Sequence, residues 1–233
     1  MHILVIDGGH VETEFRAKFG PGHAYTFHST DFDGQAEREA KEQQLTALAA
    51  TTGAVFCFGY AYAMRPHYNQ LPVFGCPVFI DCAAASLSET VSAHESEPPT
   101  ETLFGFCGLP TLLNRPLLEV SLYHETDRQK LTATCAALGT DYRVVADRVG
   151  LVTPRVVCQI INEAYYTVQE GTASRADVDL GMKLGTNYPH GPFAWANAIG
   201  ITRVYAVLEA LWQDTHDERY KVCPLLKREA LRG

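Results

Sequence analysis

The chain reads as an α/β domain on a mostly parallel sheet, residues 1–146, followed by an all-α domain, residues 147–233. Two observations predict this. Up to about residue 146, short apolar runs rich in Val, Ile and Phe alternate with helix-forming stretches. Such alternation gives parallel strands with helices on the sheet faces. Beyond Val152 the strand-like runs stop and apolar residues recur at helical spacing.

The predicted strands are 2–6, 24–27, 54–58, 78–80, 103–106, 117–122 and 142–145, each short and apolar enough to be buried. The stretch 35–51 is rich in Ala, Glu, Gln, Lys and Leu, all good helix formers. Another helix is predicted over 125–138, ended by Gly139 at a position that suits a left-handed cap. Residues 92–100, with Pro98 and Pro99, read as a surface loop. In the second domain Val156, Val157, Ile160, Ile161, Ala164 and Val168 make a wide apolar stripe on one long helix, closed by Gly171. Ser174-Arg175-Ala176-Asp177 is a capping signal for the next helix. Amphipathic helices follow over 201–212 and 224–231.

Composition narrows the class. A hydrophobic fraction of 46% and a charged fraction of 20% fit a globular protein with a real core. The net charge of −8 supplies no basic footprint for nucleic acid or an anionic membrane. No apolar run approaches the roughly 18 residues that a spanning helix needs. The N-terminus MHILVIDGGH lacks a basic region and a cleavage site and reads as a first strand, so a cytoplasmic location is expected. The seven cysteines include no C-x-x-C pair and read mostly as buried small hydrophobes. The nine histidines show no zinc-site spacing.

Residues 147–200 carry the most specific pattern. Asp147, Gly150, Arg155, Asn162, Glu163, Ala164, Glu170, Gly171, Ala173, Ser174, Asp177, Val178, Asp179, Pro189, Gly191, Pro192 and Phe193 stand at fixed spacing. This pattern resembles the start of the C-terminal domain of the 3-hydroxyacyl-CoA dehydrogenases. The resemblance runs weakly backwards. Leu117-Leu118-Glu119-Val120 resembles the strand holding the family's catalytic carboxylate, Ser86-Leu87 the end of its serine turn, and 3–9 its first strand and glycine turn. It implies a trimmed Rossmann-like domain and a helical domain of the 6-phosphogluconate dehydrogenase C-terminal type. The shortfall falls between the second strand and Ala54, where the family has extra helical structure.

That family moves a hydride between C3 of an acyl chain and NAD. A histidine handles the hydroxyl proton near neutrality. A glutamate orients the imidazole, and a serine and an asparagine hold register. By the resemblance, the glutamate maps to Glu119 and the serine to Ser86. The histidine belongs twelve residues before the glutamate, at Cys107, or at Phe106 if the gap moves by one. The asparagine maps to Pro154, which sits comfortably in the first turn of a helix. Histidine and asparagine are therefore replaced. A thiol has an unperturbed pKa of about 8.5, and Glu119 nearby would raise it further. His67, His94 and His124 are the other histidines near the sheet that would have to serve as a substitute base.

The cofactor turn is altered as well. A dinucleotide fold uses G-x-G-x-x-G between first strand and helix. Here the stretch is Asp7-Gly8-Gly9-His10-Val11-Glu12, with Gly9 alone in register beside Gly8. Asp7 and Glu12 add negative charge where a diphosphate would sit. Asp31 or Asp33 stands where a ribose-binding acid would come, and each also reads as a plain turn residue. NAD is the cofactor by resemblance, with weak or absent affinity expected.

The favoured expectation is a catalytically degenerate relative in fatty-acid or acyl-CoA metabolism that keeps the fold and can still bind an acyl-CoA. The alternatives are an active NAD(P)-dependent oxidoreductase with relocated catalytic groups and a structural partner subunit without a small ligand. A homodimer through the helical domain is expected. Trp195, Ile199, Ile201, Val204, Tyr205, Val207, Leu208, Leu211 and Trp212 offer more apolar surface than one-sided burial needs.

Overall fold

In the computed structural model, residues 1–58, 73–92 and 99–232 are described. Of the sequence expectations, His67, His94 and most of the loop 92–100 lie outside them. Among the described residues seven strands form one sheet in the order β2-β1-β3-β4-β5-β6-β7. They are β1 (His2–Ile6), β2 (Ala24–His28), β3 (Ala54–Cys57), β4 (Val78–Asp81), β5 (Leu103–Phe106), β6 (Leu117–Leu122) and β7 (Asp141–Val144). All pairings are parallel except β5 with β6.

The strand order carries information about function. The doubly wound dinucleotide sheet has the order 3-2-1-4-5-6. Here only α2 (Gln35–Ala49) stands between β2 and β3, and β3 crosses to the other side of β1. The shortfall expected between β2 and Ala54 thus includes the strand that would lie outside β2.

The two sheet faces bury different partners. Ile3, Val5, Phe56, Phe79, Phe104, Phe106 and Val120 pack under α1 (Glu12–Phe19) and α4 (Arg128–Leu138). Phe56 stacks on Phe79 at 4.5 Å between ring centroids, a geometry that adds to plain area burial. On the other face Leu4, Ile6, Val55, Val78 and Ile80 join Leu45 of α2 and Leu87 of α3 (Leu87–Ser92). That same cluster continues into the helical half, through Val157 and Ile161 of α5 (Thr153–Gln169) and Val204, Val207, Leu208 and Leu211 of α8 (Ile201–Thr215). Sheet and helices therefore share one core. Between α5 and α8 lie α6 (Arg175–Thr186) and α7 (Pro192–Ile199), and α9 (Pro224–Ala230) closes the chain. α4 ends on left-handed Gly139, and Ser174 caps α6 by accepting from the Asp177 amide.

Four of the fixed-spacing residues of the helical half turn out to be tertiary caps and ties. Asn162 accepts from the Cys223 amide at 2.9 Å and donates to the Lys221 carbonyl at 2.9 Å. Asp179 accepts from the Phe193 and Ala194 amides and so caps α7 from α6. Asp147 accepts from the Leu87 and Ser88 amides and caps α3. Arg155 donates to the Val149 carbonyl and the Tyr220 hydroxyl. Each satisfies backbone groups that a helix end or turn leaves open. The spacing is set by where these partners must meet.

The apolar cluster around α7 and α8 is mostly taken up inside the chain, with Ile201, Tyr205 and Trp212 left half-buried. Trp195, Ile199, Val204, Val207, Leu208 and Leu211 are buried within the chain itself. Further apolar surface lies on α6, which buries none of its residues and leaves Leu180 57% and Leu184 77% exposed. No helix among the described residues is long and apolar enough to cross a membrane.

Asn162→Ala removes both partners of a buried bidentate tie. Each stranded backbone group costs about 1–3 kcal/mol. Urea unfolding of this variant is expected to show a loss of roughly 2–4 kcal/mol with the overall fold kept.

Candidate functional site

The residues mapped to catalytic roles lie where the sheet meets the helical half. Glu119 stands in the first half of β6, and its carboxylate reaches the start of α5. Oε2 accepts from the Val152 amide at 3.1 Å and the Thr153 amide at 3.0 Å. Oε1 accepts from the Thr153 hydroxyl and pairs with Arg115 at 3.7 Å. The residue at the N-cap of α5, Val152, has no side chain that can cap. A carboxylate from another element does that work, and the helix dipole favours its charge. Just before it, Leu151 is held at φ +45°, a conformation that a Leu side chain opposes. Pro154 occupies the first turn of α5, where its missing N–H leaves no bond unmade.

Cys107 follows β5 and is 5% exposed, inside the shared core with Leu109, Val157 and Cys158. Burial pushes its thiol well above the usual range, and the Asp81 carboxylate pushes it further. Glu119, named from the sequence as the source of that effect, is a smaller contributor than Asp81. Phe106, the other position weighed, is a fully buried member of the opposite face.

Ser86 opens α3 in a reciprocal cap. Its hydroxyl and its amide both donate to Glu89 Oε2 at 2.8 Å, and the Glu89 amide donates back to Ser86 Oγ at 3.1 Å. This is a capping box. His124 follows the far end of β6, roughly 15 Å along the strand from Glu119. It meets its neighbour Tyr123 edge-on, and the antiparallel run of β6 puts it at the wrong end of the sheet to act as a base beside Glu119.

The segment after Cys107 is fixed from two sides. Glu14 of α1 accepts from the amides of Thr111, Leu113 and Asn114 at 2.8–3.0 Å. Trp195 of α7 donates its indole N–H to Thr111 Oγ1 at 2.9 Å. Thr111, β-branched, is held at φ +68°, an unfavourable region for such a residue. Sequence reasoning did not find Glu14, Thr111 or Asp81. Their partners lie far away in the chain, and no local pattern announces them.

At the cofactor turn, Asp7 adopts φ +55° at the place of the first motif glycine. A short acidic side chain tolerates this through local hydrogen bonds. Its carboxylate does not lie over the turn. It reaches past β2, accepting from the Thr30 amide at 2.7 Å and the Thr30 hydroxyl at 2.6 Å. Glu12 is paired with Arg16 at 2.8 Å. Gly8 cannot carry a side chain, because a Cβ would come within 2.7 Å of the Phe58 ring. Gly9 has open space around it and lines a cavity of about 420 Å³ with His10, Thr13 and Asn114. His10, exposed to solvent, has its pKa lowered by partial desolvation and by Arg203 of α8. Asp31 and Asp33 are exposed turn residues, with the Asp31 amide donating to Ser29 and the Asp33 amide to Glu37. These groups fit a dinucleotide poorly: the Asp7 carboxylate is engaged by Thr30 and Gly8 is crowded by Phe58, although the space beside Gly9 is open.

A family model described as the 3-hydroxyacyl-CoA dehydrogenase C-terminal domain matches residues 150–233. A 3-hydroxyadipyl-CoA dehydrogenase of Escherichia coli is 45% identical over 87 residues, which are 37% of this chain and 18% of that protein. A probable 3-hydroxybutyryl-CoA dehydrogenase of Deinococcus radiodurans is 34% identical over 155 residues, 64% of this chain and 54% of that protein. The chain thus spans about half, or less, of the length of these relatives. Among solved structures, (S)-3-hydroxybutyryl-CoA dehydrogenase from Ralstonia eutropha superimposes with a TM-score of 0.70 at 19% identity, covering 100% of this chain and 94% of that one. At that identity the likeness speaks for the fold: a Rossmann-like sheet domain followed by a helical domain.

Glu119→Ala leaves two amides at the start of α5 without their acceptor. Thermal or urea unfolding is expected to lose about 2–3 kcal/mol, against about 1 kcal/mol for Ser86→Ala.

Proposed function

We propose that the chain, whose residues 150–233 match the C-terminal domain of the 3-hydroxyacyl-CoA dehydrogenases, is a member of that family that has lost hydride-transfer catalysis. One observation carries this reading. The carboxylate at the family's glutamate position is engaged in capping α5, and the residue at the histidine position is a thiol sealed in the core. General acid–base catalysis needs a group that reaches the substrate oxygen and titrates near the working pH. A buried thiol whose ionisation is pushed upward meets neither condition. Ser86 is similarly engaged, within the capping box of α3. The reading carries with it a place in acyl-CoA or fatty-acid metabolism, a cytoplasmic location, and an acyl-CoA as the ligand class worth testing first.

We further propose a homodimer through the helical domain. Leu180 and Leu184 stand one turn apart on α6 and are exposed, with Gly181 and Gly185 beside them on a helix that buries nothing. Small residues next to large apolar ones let two helices approach closely. Light scattering at micromolar concentration is expected to give twice the mass of 25.7 kDa, and Leu184→Glu is expected to give the monomer. A monomeric wild type contradicts the proposal.

Catalysis is tested by following NADH oxidation with acetoacetyl-CoA. Loss of the proton-transfer group removes a factor of about 10²–10⁴, and loss of orientation about 10² more. Turnover by the wild type is expected below detection. Cys107→His is expected to restore none of it. An imidazole forced into that packed position should instead destabilise the fold by about 1–3 kcal/mol. Robust turnover by the wild type would mean that another residue moves the proton.

A further inference from the structure

Dinucleotide folds bind in the crevice outside the strand ends where the sheet order reverses. The diphosphate sits over the first glycine turn, and an acid near the end of the second strand holds the ribose. In this chain the order reverses at β1, with β2 on one side and β3 on the other. Both sides of that crevice are taken up by the chain's own groups.

On the β3 side stands Phe58, 1% exposed. Its ring lies between two glycines: a Cβ added at either Gly8 or Gly108 would come within 2.7 Å of it. It also meets Phe106 edge-on at 5.2 Å, Phe15 at 5.9 Å and His10 at 5.8 Å. The ring therefore fills the space between the first turn and the backbone after β5. Its position is set by packing from four directions.

On the β2 side stands Asp7. Both carboxylate oxygens are engaged by Thr30, and its own amide donates to the His28 carbonyl at 2.9 Å. These bonds tie the end of β1 to the segment after β2. β2 itself ends on buried His28, whose Nε2 has no hydrogen-bond partner among the described residues. A strand outside β2, which would complete the first mononucleotide-binding half, is absent from the sheet order. A ribose diol arriving here would meet a carboxylate already bonded twice and a neutral ring where it needs an acid.

We infer that the dinucleotide crevice of this fold is closed from within, with Phe58 filling it at β3 and the Asp7–Thr30 clasp sealing it at β2. The inference goes beyond the loss of proton transfer, because it concerns binding rather than chemistry. Asp7 and Phe58 are then the residues that exclude NAD and NADP, at the two strand ends rather than at Gly9, where space remains open.

Calorimetric titration of the full chain with NAD and with NADP tests this on wild type, Asp7→Gly, and Asp7→Gly combined with Phe58→Ala. Glycine is at ease at the φ of residue 7, so the first variant should fold normally. Circular dichroism checks the second, and Phe58→Leu replaces it if it is unfolded. The wild type is expected to show no saturable binding, and the combined variant is expected to gain at least roughly tenfold in affinity, with part of the gain already present in Asp7→Gly. Saturable binding by the wild type overturns the closure, and so does a folded combined variant that gains nothing. The catalytic reading is judged separately: a wild type that binds NAD without turning over acetoacetyl-CoA would sink the closure and leave the loss of catalysis standing.

Discussion

The start of α5 is the constraint from which much of this structure follows. A long helix leaves its first amides without partners, and here the residue before it is a valine that cannot cap. Glu119 reaches across from β6 and accepts from two of those amides. The chain entering the helix is tightly held: Gly150 donates to the Cys82 carbonyl, Arg155 donates back to the Val149 carbonyl, and Leu151 sits in a left-handed conformation. With α5 fixed against the sheet, Val157 and Ile161 complete a core that runs without a break from β1 to α8.

That arrangement has a chemical consequence. A carboxylate that satisfies backbone donors at a helix start is poorly placed to orient and stabilise an imidazolium, which needs the same lone pairs. Glu119 serves the start of α5 and pairs with Arg115. Cys107 packs with Leu109 and Cys158 as an ordinary small hydrophobe. The strained Thr111, held by Glu14 and Trp195, fixes the path of the segment that follows. Packing and capping account for every residue around this junction that the family resemblance marks.

How much of this was legible in the sequence depends on how local each signal is. The strands were readable because buried parallel strands are plain apolar runs, and their ends shifted by a residue or so. Gly139 and Ser174 were readable because their partners lie within a turn. α7 was not: its eight residues follow a Pro-Gly segment, and its cap comes from Asp179 on another helix. The apolar cluster of α7 and α8 was visible, but periodicity cannot say whether a face meets a partner or its own chain. At the site, that Cys107 and Pro154 stand where the resemblance implies a histidine and an asparagine rests on the sequence alone. The direction of the Asp7 carboxylate, the wedge of Phe58 and the engagement of Glu119 were not legible there, because each depends on a residue brought near only by the fold.

The most direct measurement of the account is native-state amide hydrogen exchange at Val152 and Thr153, in wild type and in Glu119→Ala. If Glu119 serves as the cap of α5, both amides are slow to exchange in the wild type, and the variant loses that protection there while the core of β1 and β3 keeps its own. Fast exchange at both amides in the wild type would contradict it, for then the carboxylate would be free of the helix and available for another role.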